Sequence, residues 1–339
     1  MSWRKPEEEL SWSHLVIVIA IAIGAWLLYR QYDAAAKRMQ RRQVIPFGEL
    51  RIVKEGEDPK FQIIAVQALG SHSVSTWKSK EAANKEETDL LLNLLPAHLK
   101  DARSLQWVYN SDWEYDGSVA SLPEFGRDLL RQLNAHFERY EGQDDLLPVV
   151  FLGYSFGGLV IKEAFFATES NDDYLWKITR GIIFLGKPHL GSSMPQLATL
   201  RAFCNRSLCS NVELIKALNS RRRHLKELLN NFNDRLRKGG LRVMPIVSIS
   251  DTKPMYQFVL PIGLVIDSFS SEIHAVERLQ SACSHTELNI FTGVDDQRPQ
   301  QLVHYIKSVT PPYIPETTDK IIWDSCYADG ELKVDRLSG

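Results

Sequence analysis

The apolar run LLPVVFLG (146–153) leads into Gly153-Tyr154-Ser155-Phe156-Gly157-Gly158, and LVIKEAFFA (159–167) follows. This is a G-x-S-x-G pattern set between an expected buried strand and an expected helix, the context in which a serine becomes a nucleophile. The turn must be sharp, so the residues two before and two after the serine must be small. Gly153 and Gly157 meet that need. A hydroxyl raised on such a turn sits beside helix N-terminal N–H groups, which are aimed at a developing oxyanion.

Serine alone is a weak nucleophile. It needs a base, and the base needs an orienting acid. In this arrangement the chain order is serine, acid, histidine. The histidines after Ser155 are His189, His224, His274, His285 and His304. His224 and His304 lie on expected helices and read as surface residues. His285, in the late polar loop SACSHTELNIF, is the preferred base, ahead of His189 in GKPHLGS. For the acid, Asp251 directly follows the expected strand LRVMPIVSIS, and Asp267 ends FVLPIGLVID as the runner-up. The oxyanion donors expected are the N–H of Phe156 and one from the loop Gln67-Ala68-Leu69-Gly70-Ser71-His72, taken as Leu69. No metal or organic cofactor is implied by this chemistry.

These residues need a scaffold, and short apolar runs alternating with helical stretches supply one. FQIIAVQ (61–67), RSLQWVYNS (103–111), LLPVVFLG (146–153), RGIIFLG (180–186) and LRVMPIVSIS (241–250) read as strands. KEETDLLLNLLPAHL (85–99) reads as helical until Pro96. SLPEFGRDLLRQLNAHFERY (121–140) reads as an amphipathic helix with Leu129, Leu130, Leu133 and Phe137 on one face. Such alternation predicts an α/β fold, a mostly parallel sheet with helices on both faces. Residues 43–60 read as a linker, 61–310 as the domain, and 311–339, with Pro311, Pro312 and Pro315, as an extension.

Residues 190–240 break the rhythm and read as a lid-like helical insertion. Within it, 212–238 carries Leu214, Leu218, Leu225, Leu229, Phe232 and Leu236 on one face. Arg221, Arg222, Arg223, Lys226, Arg235, Arg237 and Lys238 crowd the other. Two readings stand: a helix packed on the domain with a solvated basic face, or a lid whose basic side meets anionic lipid headgroups.

The chain of 339 residues is 44% hydrophobic and 24% charged, as in ordinary globular proteins. Its 40 Lys plus Arg against 42 Asp plus Glu leave a net charge of −2, which argues against a nucleic-acid partner. Cys204, Cys209, Cys283 and Cys326 form neither a disulfide framework nor a C-x-x-C zinc pattern.

The N-terminal part, residues 1–42, reads as a membrane anchor. From Leu10 through Leu15 to Tyr29 no residue is Asp, Glu, Lys or Arg; a bilayer span takes about 20 residues. Trp12 at one end and Trp26 and Tyr29 at the other suit the interfaces. A cleaved signal peptide, with Ala34-Ala35-Ala36 as the cleavage site, is the alternative. It fits less well, because Glu7, Glu8 and Glu9 make the leading segment acidic. Arg30, Lys37, Arg38, Arg41 and Arg42 outnumber Arg4 and Lys5, so the bulk is expected on the cytosolic or matrix side of an endoplasmic-reticulum or mitochondrial membrane.

In combination these blocks resemble an α/β-hydrolase lipase/esterase-like family of fungal type, related to serine-active-site-containing esterases. LPVVFLGYSFGGLVIKEAF resembles its G-H-S-x-G-G-L-V-I-K block, and RGIIFLGKPHLGSSM its G-I-I-F-x-G-T-P-H-x-G-S block. IIAVQALGSHSVSTW resembles its V-H-G-L-G block followed by Trp, and CSHTELNIF its D-H-S-x-I-C-K-F block. The resemblance covers roughly residues 60–310. It implies the α/β-hydrolase fold, places the base on His285, supports Asp251, and makes His189 a structural residue. The chain departs from the pattern at Gln67-Ala68, where the family has His-Gly, and at Ser71, Tyr154 and Lys187.

Two functions follow as expectations, with a peptidase or thioesterase as a third that the same triad allows. The first is a membrane-anchored serine hydrolase that cleaves a lipid or acyl ester, with the membrane and that substrate as its partners. The second, motivated by Gln67, Ala68 and Ser71, is a membrane-tethered hydrolase-fold protein that binds without turnover.

Overall fold

The computed structural model describes residues 19–30, 32–33, 48–68, 71, 74–79, 88–109, 121–139, 146–169, 174–186, 222–238, 244–253, 255–257, 260–263, 276–291 and 296–310. The chain divides into two compact units, Met1–Val44 and Ile45–Gly339.

In the first unit residues 19–30 are helical, and Ile19, Ile21, Ile23, Trp26, Leu27, Leu28 and Tyr29 are exposed. The Arg30 guanidinium lies 5.0 Å from the Trp26 ring centroid. Among the described residues no helix is long and apolar enough to cross a membrane. The span expected over 10–29 is therefore seen only from residue 19 onward, and Leu15 lies outside the described residues.

The second unit is built on a seven-stranded sheet. Its strands are β1 (Glu49–Lys54), β2 (Phe61–Val66), β3 (Ala102–Val108), β4 (Val149–Tyr154), β5 (Thr179–Leu185), β6 (Ile246–Asp251) and β9 (Val276–Ser281), in the order β1-β3-β2-β4-β5-β6-β9. A separate hairpin pairs β7 (Met255–Gln257) with β8 (Leu260–Gly263). β1 runs antiparallel to β3, and every other pairing in the large sheet is parallel.

The central strands read as unbroken apolar runs because both their faces are covered. On one face, Ile64, Val66, Val149 and Phe151 pack against α2 (Leu122–Glu138), α3 (Phe156–Phe166) and α5 (Arg222–Lys238). On the other, Ile63, Ala65, Val150 and Leu152 pack against α1 (Leu95–His98) and α6 (Gln297–Val309). A short helix, α4 (Tyr174–Ile178), leads into β5. α2 starts at a capping box of Ser121 and Glu124 and buries Leu129, Leu133 and Phe137.

Three expectations need correction, and one strand has no counterpart in the sequence reading. The stretch 43–60 is not only a linker, since it holds β1. This is a half-exposed edge strand whose polar residues hide the strand pattern. β9, VERLQS, is the opposite edge and was not foreseen for the same reason. Pro96 does not end a helix. A π-helical turn, Leu90–Leu94, runs directly into α1, and Pro96 sits in the first turn of α1, where a missing N–H is tolerated. Arg235 is not on a solvated basic face. Its guanidinium donates to the Phe165 carbonyl at 3.0 Å and the Thr168 carbonyl at 2.9 Å, tying α5 to the end of α3. Leu228, Phe232 and Leu236 are the buried face of that helix. The lid expectation for residues 190–221 and the extension 311–339 lie outside the described residues.

Candidate active site

β4 delivers Ser155 to the carboxyl end of the sheet and α3 departs from it. Ser155 has φ 50° and ψ −119°, the one positive φ outside glycine among the described residues. A side-chain-bearing residue held there stores about 1–3 kcal/mol of strain. Its N–H donates to the Leu185 carbonyl of β5 at 2.8 Å, and Gly158 N–H donates back to the Ser155 carbonyl at 3.0 Å.

Both flanking glycines are required by close approach. A Cβ at Gly153 would stand 2.8 Å from Gly158 Cα, and one at Gly157 would stand 2.3 Å from the Val66 carbonyl oxygen. These neighbours are backbone and cannot swing aside. Gly157→Ala is therefore expected to cost about 1–3 kcal/mol by overpacking, lowering Tm by several degrees. A thermal melt indistinguishable from that of the parent protein would show that the turn and the β2 loop are not in contact.

His285 opens a 3-10 turn, His285–Glu287, capped by Ser284 and Glu287. The Ser284 backbone N–H and hydroxyl both donate to the Glu287 carboxylate, which holds it below its ordinary pKa. From α6, Arg298 donates to the carbonyls of Glu287 and Ile290, each at 2.8 Å. Asn289 donates to the Thr76 carbonyl, joining this turn to the segment that follows β2. Gly186, at φ +58°, leaves room for the imidazole: a Cβ there would stand 2.6 Å from His285 Cε1.

The structure brings the three expected side chains together. His285 Nε2 lies 3.2 Å from Ser155 Oγ, and His285 Nδ1 lies 3.4 Å from Asp251 Oδ1. Asp251 is the last residue of β6 and pairs with Ser281 of β9. Ser155 and His285 are each 1% exposed and Asp251 is 4% exposed. Asp251 Oδ2 has no hydrogen-bond partner among the described residues. Such a chain can pass a proton from a hydroxyl to an imidazole while a buried carboxylate holds the far side of the ring.

Phe156 is the first residue of α3, directly after Ser155, so its N–H belongs to the first helical turn, which has no acceptor within the helix. The loop after β2 crosses the same place, because the Val66 and Gln67 carbonyls are the atoms a Gly157 Cβ would strike. Leu69 itself lies outside the described residues. Gln67 is fully buried. Its side chain accepts from Gln106 Nε2 at 3.0 Å and donates to the Ser71 carbonyl at 3.4 Å, while Tyr109 Oη donates to its carbonyl at 3.1 Å. Burial pushes the Tyr109 phenol up, so it stays a donor. Gln67 thus ties the loop base to β3.

The other candidates sit elsewhere or outside. His224 contacts the Glu163 carboxylate on α3 and is half-buried, so it is not a free surface residue. His304 is exposed. His189, His274 and Asp267 lie outside the described residues. Among the described residues no group of His, Cys, Asp and Glu could hold a metal ion. Tyr154, Gly186, Tyr109 and Arg298 were not foreseen. Of these only Gly186, a glycine at a strand end, carried a signal in its residue type.

No protein-family model matches the chain, and no curated protein matches it. Solved structures do. The NocB thioesterase domain from the nocardicin cluster aligns at 11% identity over 78% of this chain and 98% of its own, with a TM-score of 0.39. A lipase-esterase related protein from Clostridium acetobutylicum aligns at 11% over 78% of this chain and 99% of its own, with a TM-score of 0.40. Est816, an N-acyl homoserine lactone degrading enzyme, aligns at 12% over 77% and 96%, also at 0.40. Superpositions this loose carry no argument about chemistry. The parallel strand order and the strand–turn–helix at Ser155 stand without them, and both are what an α/β-hydrolase scaffold requires.

Proposed function

We propose that this protein is a serine ester hydrolase of the α/β-hydrolase type, acting on a lipid or acyl ester. One observation carries the reading. A buried chain runs from Ser155 Oγ through the His285 ring to Asp251, at 3.2 and 3.4 Å, with the serine on a strained turn at the carboxyl end of a parallel sheet. Ser155 Oγ attacks the ester carbonyl as His285 Nε2 takes its proton. The tetrahedral oxyanion is held by the N–H groups of Phe156 and of Leu69 in the β2 loop. His285 returns the proton to the leaving alcohol, leaving an acyl group on Ser155. Water, activated by the same imidazole, then releases the acid. Asp251 keeps the Nδ1 proton in place and stabilises the imidazolium.

The uncharged stretch 10–29 and the exposed apolar side chains of helix 19–30 support a membrane tether. The basic flank 30–42 favours a catalytic domain on the cytosolic or matrix side. A tethered enzyme meets ester substrates that are themselves lipids.

The test is covalent. Full-length protein in detergent, treated with a fluorophosphonate probe, is expected to carry one phosphonyl adduct, which peptide mass spectrometry finds on Ser155. His285→Ala is expected to abolish it. A folded protein that takes no label would overturn the proposal and leave a tethered binding domain, and label on another residue would overturn the assignment of Ser155 as nucleophile.

A further inference from the structure

The base sits on a turn far along the chain from the nucleophile, yet the two must hold a separation good to a fraction of an ångström. Ser155 and His285 are separated by 130 positions. Independent loops would set that distance poorly. Tyr154 spans the gap. It is the last residue of β4, peptide-bonded to Ser155, and its side chain projects to the α1/α6 face of the sheet, opposite α3. Its hydroxyl donates to the main-chain carbonyl of His285 at 3.2 Å. Its ring lies 5.8 Å from the His285 ring, tilted by 30°, and makes a T-shaped contact with the Trp77 ring at 6.4 Å. Tyr154 is 3% exposed, so its two rotatable side-chain bonds are fixed by packing.

We infer that Tyr154 is a positioning residue for His285: its hydroxyl, bonded to the His285 carbonyl, sets the distance between the imidazole and Ser155 Oγ. The inference rests on the ester-hydrolase reading above. One rigid side chain then fixes both partners, since the strand end that places the nucleophile also grips the base. Arg298 and Asn289 hold the later part of the same turn, at Glu287, Ile290 and Asn289 itself. Tyr154 acts at His285 itself. The Leu288 N–H reaches the same carbonyl at 3.4 Å, so that oxygen is not orphaned when the phenol is lost. What changes is the constraint on the residue.

Tyr154→Phe keeps the ring and removes the tie. The expected result is a fall of about 10–100-fold in the maximal rate of phosphonylation, with the probe's half-saturation concentration unchanged. In histidine-labelled protein the His285 ring signals, identified by their loss in His285→Ala, are expected to broaden or double. Tyr174→Phe is the control, because Tyr174 bonds Asn134 at the amino-terminal approach to β5, the end of the sheet remote from Ser155. It removes a comparable hydroxyl and should change neither readout. A Tyr154→Phe protein with the parent phosphonylation rate, or with unchanged His285 signals, overturns the inference. Failure of the parent protein to label at all overturns the hydrolase reading instead, and the ring signals then decide the contact by themselves.

Discussion

Ser155→Ala is expected to lower kcat/KM for an activated ester by about 10⁴–10⁶-fold, down to whatever the oxyanion donors and binding supply by themselves. The expectation depends on the hydroxyl having one strong partner, His285 Nε2 at 3.2 Å. Losing it removes the nucleophile and little else. Stability should stay within about 1 kcal/mol of the parent protein, since alanine meets the same φ as serine and leaves no bulky void. A purified Ser155→Ala protein that melts like the parent and turns over within about tenfold of it would mean that the reacting group is elsewhere. A variant that has lost both its activity and its melt would say nothing against the role, so the two measurements belong together.

Much of this site was legible because it is local. Gly153, Ser155 and Gly157 lie within one turn, and the glycines are needed for contacts with Gly158 Cα and the Val66 carbonyl that any such turn makes. Chain order and strand ends, where a loop-borne acid or base must sit, point to Asp251 and His285, the two side chains that the fold sets in line with Ser155. The rest depends on long-range placement. Tyr154 reads as the variable position of the G-x-S-x-G turn, and only the fold puts its hydroxyl on the His285 carbonyl 131 positions away. Gln67 reads as a departure from a pattern until Gln106 and Tyr109 are seen to hold it. The central strands were legible because burial on both faces leaves continuous apolar runs. β1 and β9 were not, because each is an outer strand with polar residues mixed through it. Arg235 shows the same limit on a helix: its charge suggests water, but its guanidinium donates to the carbonyls of Phe165 at the end of α3 and of Thr168 just past it.

Asp251→Asn is expected to lower kcat by about 10⁴-fold while leaving the fold intact. The carboxylate accepts from His285 Nδ1, which leaves the lone pair of Nε2 facing Ser155 Oγ. An asparagine at the same place can turn its NH₂ toward Nδ1. The ring proton then moves to Nε2, and the imidazole offers Ser155 a donor where it needs an acceptor. Stability should move the other way or not at all. Asp251 is buried, and its Oδ2 has no hydrogen-bond partner among the described residues. Keeping a carboxylate there costs free energy that a neutral amide avoids. Activity and melting temperature should therefore part company, as they do where a site is built at the expense of stability. Asp267→Asn belongs beside it as the runner-up acid. If Asp267→Asn carries the large loss and Asp251→Asn stays within about tenfold of the parent, the contact between His285 and Asp251 is structural and the orienting acid is Asp267.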